Sequence, residues 1–222
     1  MQKGESYIMM YAAGVCLLCS VLLAGTTMAL KPRQDAESEL DRKRNVLKAF
    51  DAPMRDEATG EPIAGPEVER LYTQHVREIT VTASGRTLPL FQWEVDGRTE
   101  RIALPVSGKG LWSTIYGYLA LDARATTILG ITFYKHGETP GLGGEIEQPW
   151  FQENFKGRQI FDKGTLRRIE VAKGKARPPS AEGPVQVDGI SGATLTGAGV
   201  TAFLNEILAG YEPYFMTLRE VR

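Results

Sequence analysis

An uncharged run near the N-terminus most limits how this chain can fold. From Tyr7 to Leu30 there are 24 consecutive residues without Asp, Glu, Lys or Arg. A helix of about 20 apolar residues is long enough to cross a bilayer, so the run predicts one membrane-spanning helix after residues 1–6. A cleaved signal peptide is the alternative, because Thr27-Met28-Ala29 resembles a cleavage site. Signal cores usually have about 7 to 15 apolar residues, which favours an uncleaved anchor.

The charges on either side of this run do not fix its orientation. Lys3 lies before it, and Lys31 and Arg33 follow it, with three more basic residues at 42–44. The positive-inside rule therefore leans slightly against an external position for the rest of the chain, although the rule is weak for large translocated domains.

Overall charge and cysteine content exclude several classes of partner and cofactor. The formal net charge is -1, so nothing indicates a polyanion such as nucleic acid. Cys16 and Cys19 are the only cysteines, and both lie in the apolar run. Two thiols cannot complete a tetrahedral metal site by themselves, so we interpret them as small apolar residues. The remaining chain has neither disulfides nor cysteine-ligated iron–sulfur clusters, and we predict no metal site.

Hydrophobic periodicity then predicts a linker and an α+β domain. Residues 31–65 form the linker, with a charged helix from Gln34 to Phe50 and a loop from Asp51 to Gly65. The α+β domain is predicted over residues 66–222. Pro66 suits the first turn of its first helix, which is expected to end near His75. Strands are predicted at residues 78–82, 90–95, 101–106, 116–121, 127–134 and 166–171, with an Asp96-Gly97 hairpin turn.

The remaining elements are helical or irregular. A helix is predicted from Glu145 to Phe155, a surface loop from Lys173 to Asp188, and a helix from Val200 to Leu208 that is broken at Tyr211–Phe215. The expected fold class is α+β: a single N-terminal transmembrane helix followed by a soluble domain with a mostly antiparallel sheet packed against helices.

The segment Asp188-Gly189-Ile190-Ser191-Gly192-Ala193-Thr194-Leu195-Thr196 has the composition of a ligand-binding turn. Gly192 permits a tight turn, and Ser191, Thr194 and Thr196 are good N-cap residues just before the last predicted helix. A helix start offers free N–H groups and the positive end of the dipole, which suit a phosphate. The alternative is that the segment is only a loop and a helix cap.

Two motifs resemble those of a known family. Asp188-x-x-Ser191-Gly192-Ala193-Thr194 resembles the motif on which FMN-binding domains of bacterial respiratory complexes carry covalent FMN, as a phosphoester on the final threonine. His136-Gly137-Glu138-Thr139-Pro140-Gly141-Leu142-Gly143-Gly144 is similar to a second motif of these domains. Together with the segment from Ser107 to Ser113, they make the whole chain resemble the NqrC family, whose members belong to sodium-translocating NADH:quinone oxidoreductases.

The resemblance implies an electron-transfer subunit with no complete active site and no catalytic residue of its own. Its implied partners are the other subunits of the complex, the membrane, and a flavin transferase that attaches FMN to Thr194. Its implied location is the bacterial inner membrane, with the domain in the periplasm. Asp188 is either part of the transferase recognition signal or a simple loop cap. The other expected FMN-binding residues are Ser191, Gly192, Ala193, Leu195, Thr196, Trp112, Glu138, Thr139, Gly141 and Leu142.

Two other functions remain open at this point. One is the corresponding subunit of an Rnf-type ferredoxin:NAD electron transport complex, although Gly110-Leu111-Trp112-Ser113 followed by Tyr116 looks more like the sodium-pump family. The other is a membrane-anchored sensor or adaptor that binds FMN noncovalently or binds no flavin. Of the two histidines, His136 is expected to be solvated, and His75 to be structural or exposed.

Overall fold

The computed structural model describes residues 3–56, 59–178 and 183–220. The chain separates into two compact units, one ending at Arg42 and the other beginning at Lys43. Residues 1 and 2 of the predicted N-terminal segment lie outside the described residues.

The first element is a single long helix, α1 (Lys3–Ala49), of 47 residues. We predicted a membrane helix and a separate linker helix, but α1 passes through Pro32 without a break. A proline removes one backbone N–H, and a helix this long retains its bonds on both sides. The part from Ser6 onward is long and apolar enough to cross a membrane, judged by length and composition. The apolar side chains in its N-terminal half are exposed.

Helix α2 (Gly65–His75) begins where Pro66 predicted it and leads into a five-stranded antiparallel sheet. The strands follow each other in chain order: β1 (Val76–Ala83), β2 (Arg86–Val95), β3 (Arg98–Lys109), β4 (Thr114–Asp122) and β5 (Ile128–Lys135). Asp96 and Gly97 have φ values of 50° and 73°, as the predicted two-residue hairpin turn requires. All five strands were predicted: the first four a little short, and the fifth at the right length but displaced by one residue.

Successive side chains of a strand point to opposite faces of the sheet, and here apolar residues occur on both faces. Both faces are therefore covered by other elements. Ile102, Leu104 and Val106 of β3 belong to the main core. The opposite face packs against the end of α1: Trp93 lies 5.6 Å from Phe50 between ring centroids. Thr132 on β5 donates a 3.3 Å hydrogen bond to the carbonyl oxygen of Asn45.

The predicted helix from Glu145 to Phe155 is wrong in detail. The structure has a 3₁₀ turn (Gly143–Glu147), a four-residue helix α3 (Pro149–Gln152) and another 3₁₀ turn (Glu153–Phe155). Pro149 lacks the N–H that would continue the first turn, so it starts a new element.

Four short strands follow. Strands β6 (Phe161–Asp162) and β7 (Thr165–Leu166) form a hairpin, while β8 (Ile169–Val171) pairs in parallel with β9 (Val185–Val187). The single strand predicted over 166–171 is therefore divided between β7 and β8. Strand β9 lies within the region predicted to be only a loop.

The last helix, α4 (Thr194–Glu220), packs on the core face of the sheet. The predicted break at Tyr211–Phe215 is wrong, because the helix continues through Pro213. Tyr211 and Phe215 are buried and stack with ring centroids 6.0 Å apart, and the Tyr211 hydroxyl donates to the Pro89 carbonyl oxygen. This packing holds the helix across the missing N–H. The predicted α+β class, with an N-terminal apolar helix before a mostly antiparallel sheet and helices, is confirmed.

Candidate functional site

The segment before α4 forms a tight turn that depends on glycine. Ala193 donates its N–H to the Ile190 carbonyl oxygen over 3.1 Å, and Gly192, at the third position of this turn, has a φ of 75°. A Cβ at Gly192 would lie 2.8 Å from Cδ2 of Leu142. Glycine is therefore required here both by conformation and by the close approach of Leu142.

Thr194 is the first residue of α4 and is exposed. Gly197 donates its N–H to the Ala193 carbonyl oxygen over 3.0 Å, the first bond of this helix. The N–H groups of the residues just before Gly197 thus belong to the helix start, which has no intrahelical acceptor for them. An anion beside the Thr194 hydroxyl would meet these groups and the positive end of the helix dipole.

A pocket of about 330 Å³ opens beside Thr194. It is lined by Leu111, Trp112, Glu138, Thr139, Leu142, Gly143, Gly192, Ala193, Thr194, Leu195 and Thr196. Four large apolar side chains on it are exposed: Trp112 (71%), Leu195 (64%), Leu142 (43%) and Leu111 (40%). We call these four the apolar rim. Grouped exposed apolar side chains mark binding surfaces, so the pocket suits a flat apolar ring joined to a phosphate.

The charged group in this pocket is Glu138, which is buried. Its carboxylate accepts hydrogen bonds from three successive backbone N–H groups, those of Leu111 (3.2 Å), Trp112 (3.0 Å) and Ser113 (3.2 Å). It also accepts one from Oγ1 of Thr196 over 2.7 Å. One carboxylate therefore joins the β3–β4 loop, the segment after β5 and the first turn of α4.

Burial alone would raise the pKa of Glu138. The hydrogen bonds from Thr196 and from the N–H groups of Trp112, Ser113 and Leu111 favour the ionised form and outweigh burial, so they hold its pKa below the usual 4.5. Glu138 is consequently a fixed negative charge inside the pocket at neutral pH.

Sequence and structure comparisons place this pocket within a known family. The FMN-binding domain family matches residues 110–209, which include every residue that lines the pocket. Over 99% of its length, the chain is 32% identical to NqrC of the Na⁺-translocating NADH-quinone reductase of Pseudomonas aeruginosa, and covers 98% of that protein. Identity to the Yersinia pestis NqrC is 33%, with 93% and 90% of the two chains covered. The chain belongs to the NqrC family of Na⁺-translocating NADH-quinone reductases.

Solved structures of NqrC family members have the same fold. The crystal structure from Parabacteroides distasonis superposes with a TM-score of 0.71 at 29% identity, covering 84% of this chain and 96% of that one. NqrC of Shewanella oneidensis gives a TM-score of 0.66 at 25% identity, with 81% and 96% covered. Membership in the NqrC family decides against the Rnf-type and sensor alternatives, and the long apolar helix α1 fits a membrane-anchored subunit.

Most residues expected at the NqrC flavin site do line the pocket. They are Thr194, Gly192, Ala193, Leu195, Thr196, Trp112, Glu138, Thr139 and Leu142. Ser191 and Gly141 do not line it. They lie in the two adjoining turns, where Gly141 has a φ of 73°. Leu111 and Gly143 were missed as site residues, although both lie inside the motifs that carried the resemblance.

Asp188, also expected at the site, does not line the pocket. Its carboxylate accepts hydrogen bonds from Nζ of Lys175 (2.5 Å) and the N–H of Ala176 (2.8 Å). The Lys175 bond, then the Ala176 bond, lower the pKa of Asp188. In this chain Asp188 therefore braces the loop after β8, as expected of a loop cap. A role in recognition by a transferase stays a prediction.

Neither histidine contributes to the pocket lining. His136 was expected to be solvated, but only 10% of its side chain is exposed. Its Nδ1 accepts the N–H of Glu138 over 3.2 Å. His75 is structural, since it stacks on Trp93 with ring centroids 4.5 Å apart and its Nδ1 lies 3.0 Å from the Glu94 carbonyl oxygen. Among the described residues no group of three or more His, Cys, Asp or Glu could hold a metal ion.

Proposed function

We propose that this chain carries FMN attached through its phosphate to Oγ1 of Thr194 and passes electrons between cofactors of a Na⁺-translocating NADH-quinone reductase. The observation that carries the proposal is the position of Thr194. It is an exposed hydroxyl on the first residue of α4, at the edge of a pocket with an apolar rim. The whole-length likeness to NqrC proteins supports the same function.

The surroundings of Thr194 fit a flavin phosphate. The helix start supplies N–H donors and a positive dipole end for the one charge that a phosphodiester keeps. Trp112, Leu142 and Leu195 are exposed apolar side chains that line the same pocket as Thr194, so they are available to contact a ring attached to it. The bound flavin supplies the redox chemistry, while the protein holds it in place and tunes its potential.

Attachment requires help from another protein. In the attachment reaction, Oγ1 of Thr194 forms a bond with the phosphorus of an activated flavin phosphate. The anhydride bond between that phosphorus and the leaving group breaks, and the hydroxyl proton is released. Within the described residues, no histidine or lysine lines the pocket to take that proton. Its one carboxylate, Glu138, already accepts four hydrogen bonds. A threonine hydroxyl is a poor nucleophile without a base, so we assign the base to a separate flavin transferase.

The test compares two exposed threonines of helix α4, one in the pocket and one outside it. In membranes of the native host, the wild-type chain should give a fluorescent band under ultraviolet light after denaturing electrophoresis, and its Thr194 tryptic peptide should have the mass of an FMN adduct. Thr194→Val should give no band. Thr217→Val, at an exposed threonine of the same helix that does not line the pocket, should keep it. An unmodified Thr194 peptide from active membranes would rule the proposal out.

The periplasmic position of the domain is a second part of the proposal, supported by family likeness against a slight opposing charge bias. The native cysteines lie only in α1, so one added thiol reports the side of the membrane. Arg124 is exposed and outside the pocket. A membrane-impermeant maleimide should label Arg124→Cys in spheroplasts as fully as in lysed cells. Labelling only after lysis would place the domain in the cytoplasm.

A further inference from the structure

The segment from residue 156 to residue 177 has a charge very different from that of the whole chain. It contains eight Lys or Arg residues and two acidic ones, in a protein whose formal net charge is -1. A segment this basic would ordinarily be spread over a solvated surface. Here the fold draws most of its charges together.

Two adjoining concavities collect these residues. The first, of about 220 Å³, is lined by Arg158, Arg167 and Arg177. The second, of about 460 Å³, is lined by Lys163, Arg167 and Arg168, so Arg167 belongs to both. Lys175 lies two residues before Arg177, which lines the first concavity, and it donates a hydrogen bond to Asp188. We define the basic face as Arg158, Lys163, Arg167, Arg168, Lys175 and Arg177.

Two of its guanidinium groups are held in place by the backbone. Arg158 donates from Nε to the Asn154 carbonyl oxygen over 3.1 Å, and Arg167 donates from Nε and Nη2 to the Gly183 carbonyl oxygen over 3.3 and 2.7 Å. Both side chains are only partly exposed. Arg158 uses only Nε in a described hydrogen bond, so a carboxylate can still bond both of its terminal nitrogens. A guanidinium that is already fixed loses little entropy when it does so.

Among the described residues, two carboxylates reach the face: Asp162 lines the second concavity, and Asp188 is already bonded to Lys175. In the described ranges, no carboxylate lies within ion-pair distance of Arg158, Lys163, Arg168 or Arg177. The described part of the face therefore has more positive than negative side chains, an excess that a partner can neutralise.

We propose that the basic face docks an acidic protein surface on another subunit of the same NADH-quinone reductase complex. Membership in the NqrC family supplies the complex, and positive charge specifies an acidic partner. The preordered guanidinium of Arg158 favours fixed carboxylates over mobile lipid headgroups. No residue of the basic face lines the pocket beside Thr194. The inference therefore rests on family membership, and its outcome is independent of whether FMN is esterified.

The test uses zero-length carbodiimide cross-linking of the intact complex in native membranes. Lys163 is exposed and should be linked to an Asp or Glu of another subunit, identified by mass spectrometry of the joined peptides. Arg168→Glu combined with Arg177→Glu should lower the yield of that link at least about tenfold, because like charges then face each other. Both of these arginines are exposed, and neither side chain is used in a described hydrogen bond.

The matched control is Arg98→Glu combined with Arg124→Glu, which changes net charge equally at two other exposed positions. It should leave the link at wild-type yield, as should Arg168→Lys with Arg177→Lys. Wild-type yield in the charge-reversed protein, or no link from Lys163 to any subunit, overturns the proposal. Protection of Arg168 and Arg177 from phenylglyoxal that depends only on added phosphatidylglycerol would assign the face to lipid and overturn it equally.

Discussion

Thr196 Oγ1 donates a 2.7 Å hydrogen bond to Oε2 of Glu138, across 58 residues of sequence. This bond joins the first turn of α4 to the segment after β5. The same carboxylate also holds the loop that carries Trp112. The shape of the pocket beside Thr194 thus depends on one buried anion.

Removing that charge should destabilise the domain. In Glu138→Gln the side-chain volume is kept, but the amide NH₂ replaces an acceptor and faces donors of the β3–β4 loop. We expect a loss of about 2–4 kcal/mol in unfolding free energy, because buried donors are left without acceptors. Urea unfolding of the full chain in detergent, followed by tryptophan fluorescence, measures it. Exposed Glu153→Gln is the control and should change stability by less than about 0.5 kcal/mol. A Glu138→Gln midpoint equal to the wild-type value would contradict the network.

The depressed pKa of Glu138 predicts an acid-labile pocket. A group whose pKa is lower in the folded than in the unfolded state stabilises the fold above its unfolded pKa, and this contribution disappears as pH falls through the folded value. The loss should therefore begin near the ordinary value of 4.5 and continue below it. Urea midpoints measured at decreasing pH should fall more steeply in wild type than in Glu138→Gln. Equal slopes would show that Glu138 makes no contribution.

Gly143 leaves no room for a side chain. A Cβ there would lie 2.5 Å from Oγ1 of Thr196 and 2.9 Å from Oε2 of Glu138. Gly143→Ala should cost about 1–3 kcal/mol by forcing these groups apart. Gly137→Ala is the matched control, because a Cβ there would lie no closer than 3.3 Å to its nearest neighbour, Ser113. Thermal unfolding of both proteins checks the prediction, which fails if they melt together.

Trp112 should matter for the ligand and not for folding. It is 71% exposed, so Trp112→Ala should change unfolding free energy by less than about 0.5 kcal/mol. If its ring covers a flavin on Thr194, the same change should increase quenching of flavin fluorescence by iodide. Trp150 is also exposed, at 45%, but does not line the pocket, so Trp150→Ala should leave quenching unaltered. Unaltered quenching in Trp112→Ala would remove Trp112 from the proposed flavin contacts.

Local patterns predicted the sheet well and the helix ends poorly. The five strands alternate or carry β-branched residues, and Asp96-Gly97 specifies its own turn, so nearby residues are sufficient. Pro213 was expected to end α4, but Tyr211 is held by a residue more than a hundred positions away and Phe215 packs on Phe161. Strand β9 has three residues and depends on a parallel neighbour, which no local pattern indicates.

The site shows the same division. The resemblance of residues 188–194 to a family motif indicated Thr194. The turn before it could be predicted from Gly192 and its neighbours, because the residues that build that turn are consecutive. The role of Glu138 as a buried acceptor that joins three segments could not be predicted. Glutamate is usually exposed, and the four donors to Glu138 come from segments 25 to 58 residues away. That Trp112 and Leu142 line the same pocket likewise depends on long-range contacts. The β3–β4 loop, the segment after β5 and the start of α4 meet there.

The dependence of the pocket on Thr196 has a consequence for biogenesis. Glu138 precedes Thr196 by 58 residues, so its carboxylate has no hydroxyl to accept from until Thr196 has been translated. Thr194 is made only two residues earlier, so the acceptor hydroxyl and the bond that completes its groove become available almost together. Cofactor loading would then wait until α4 has packed on the sheet, and incompletely folded copies would be spared a redox group that they could not shield.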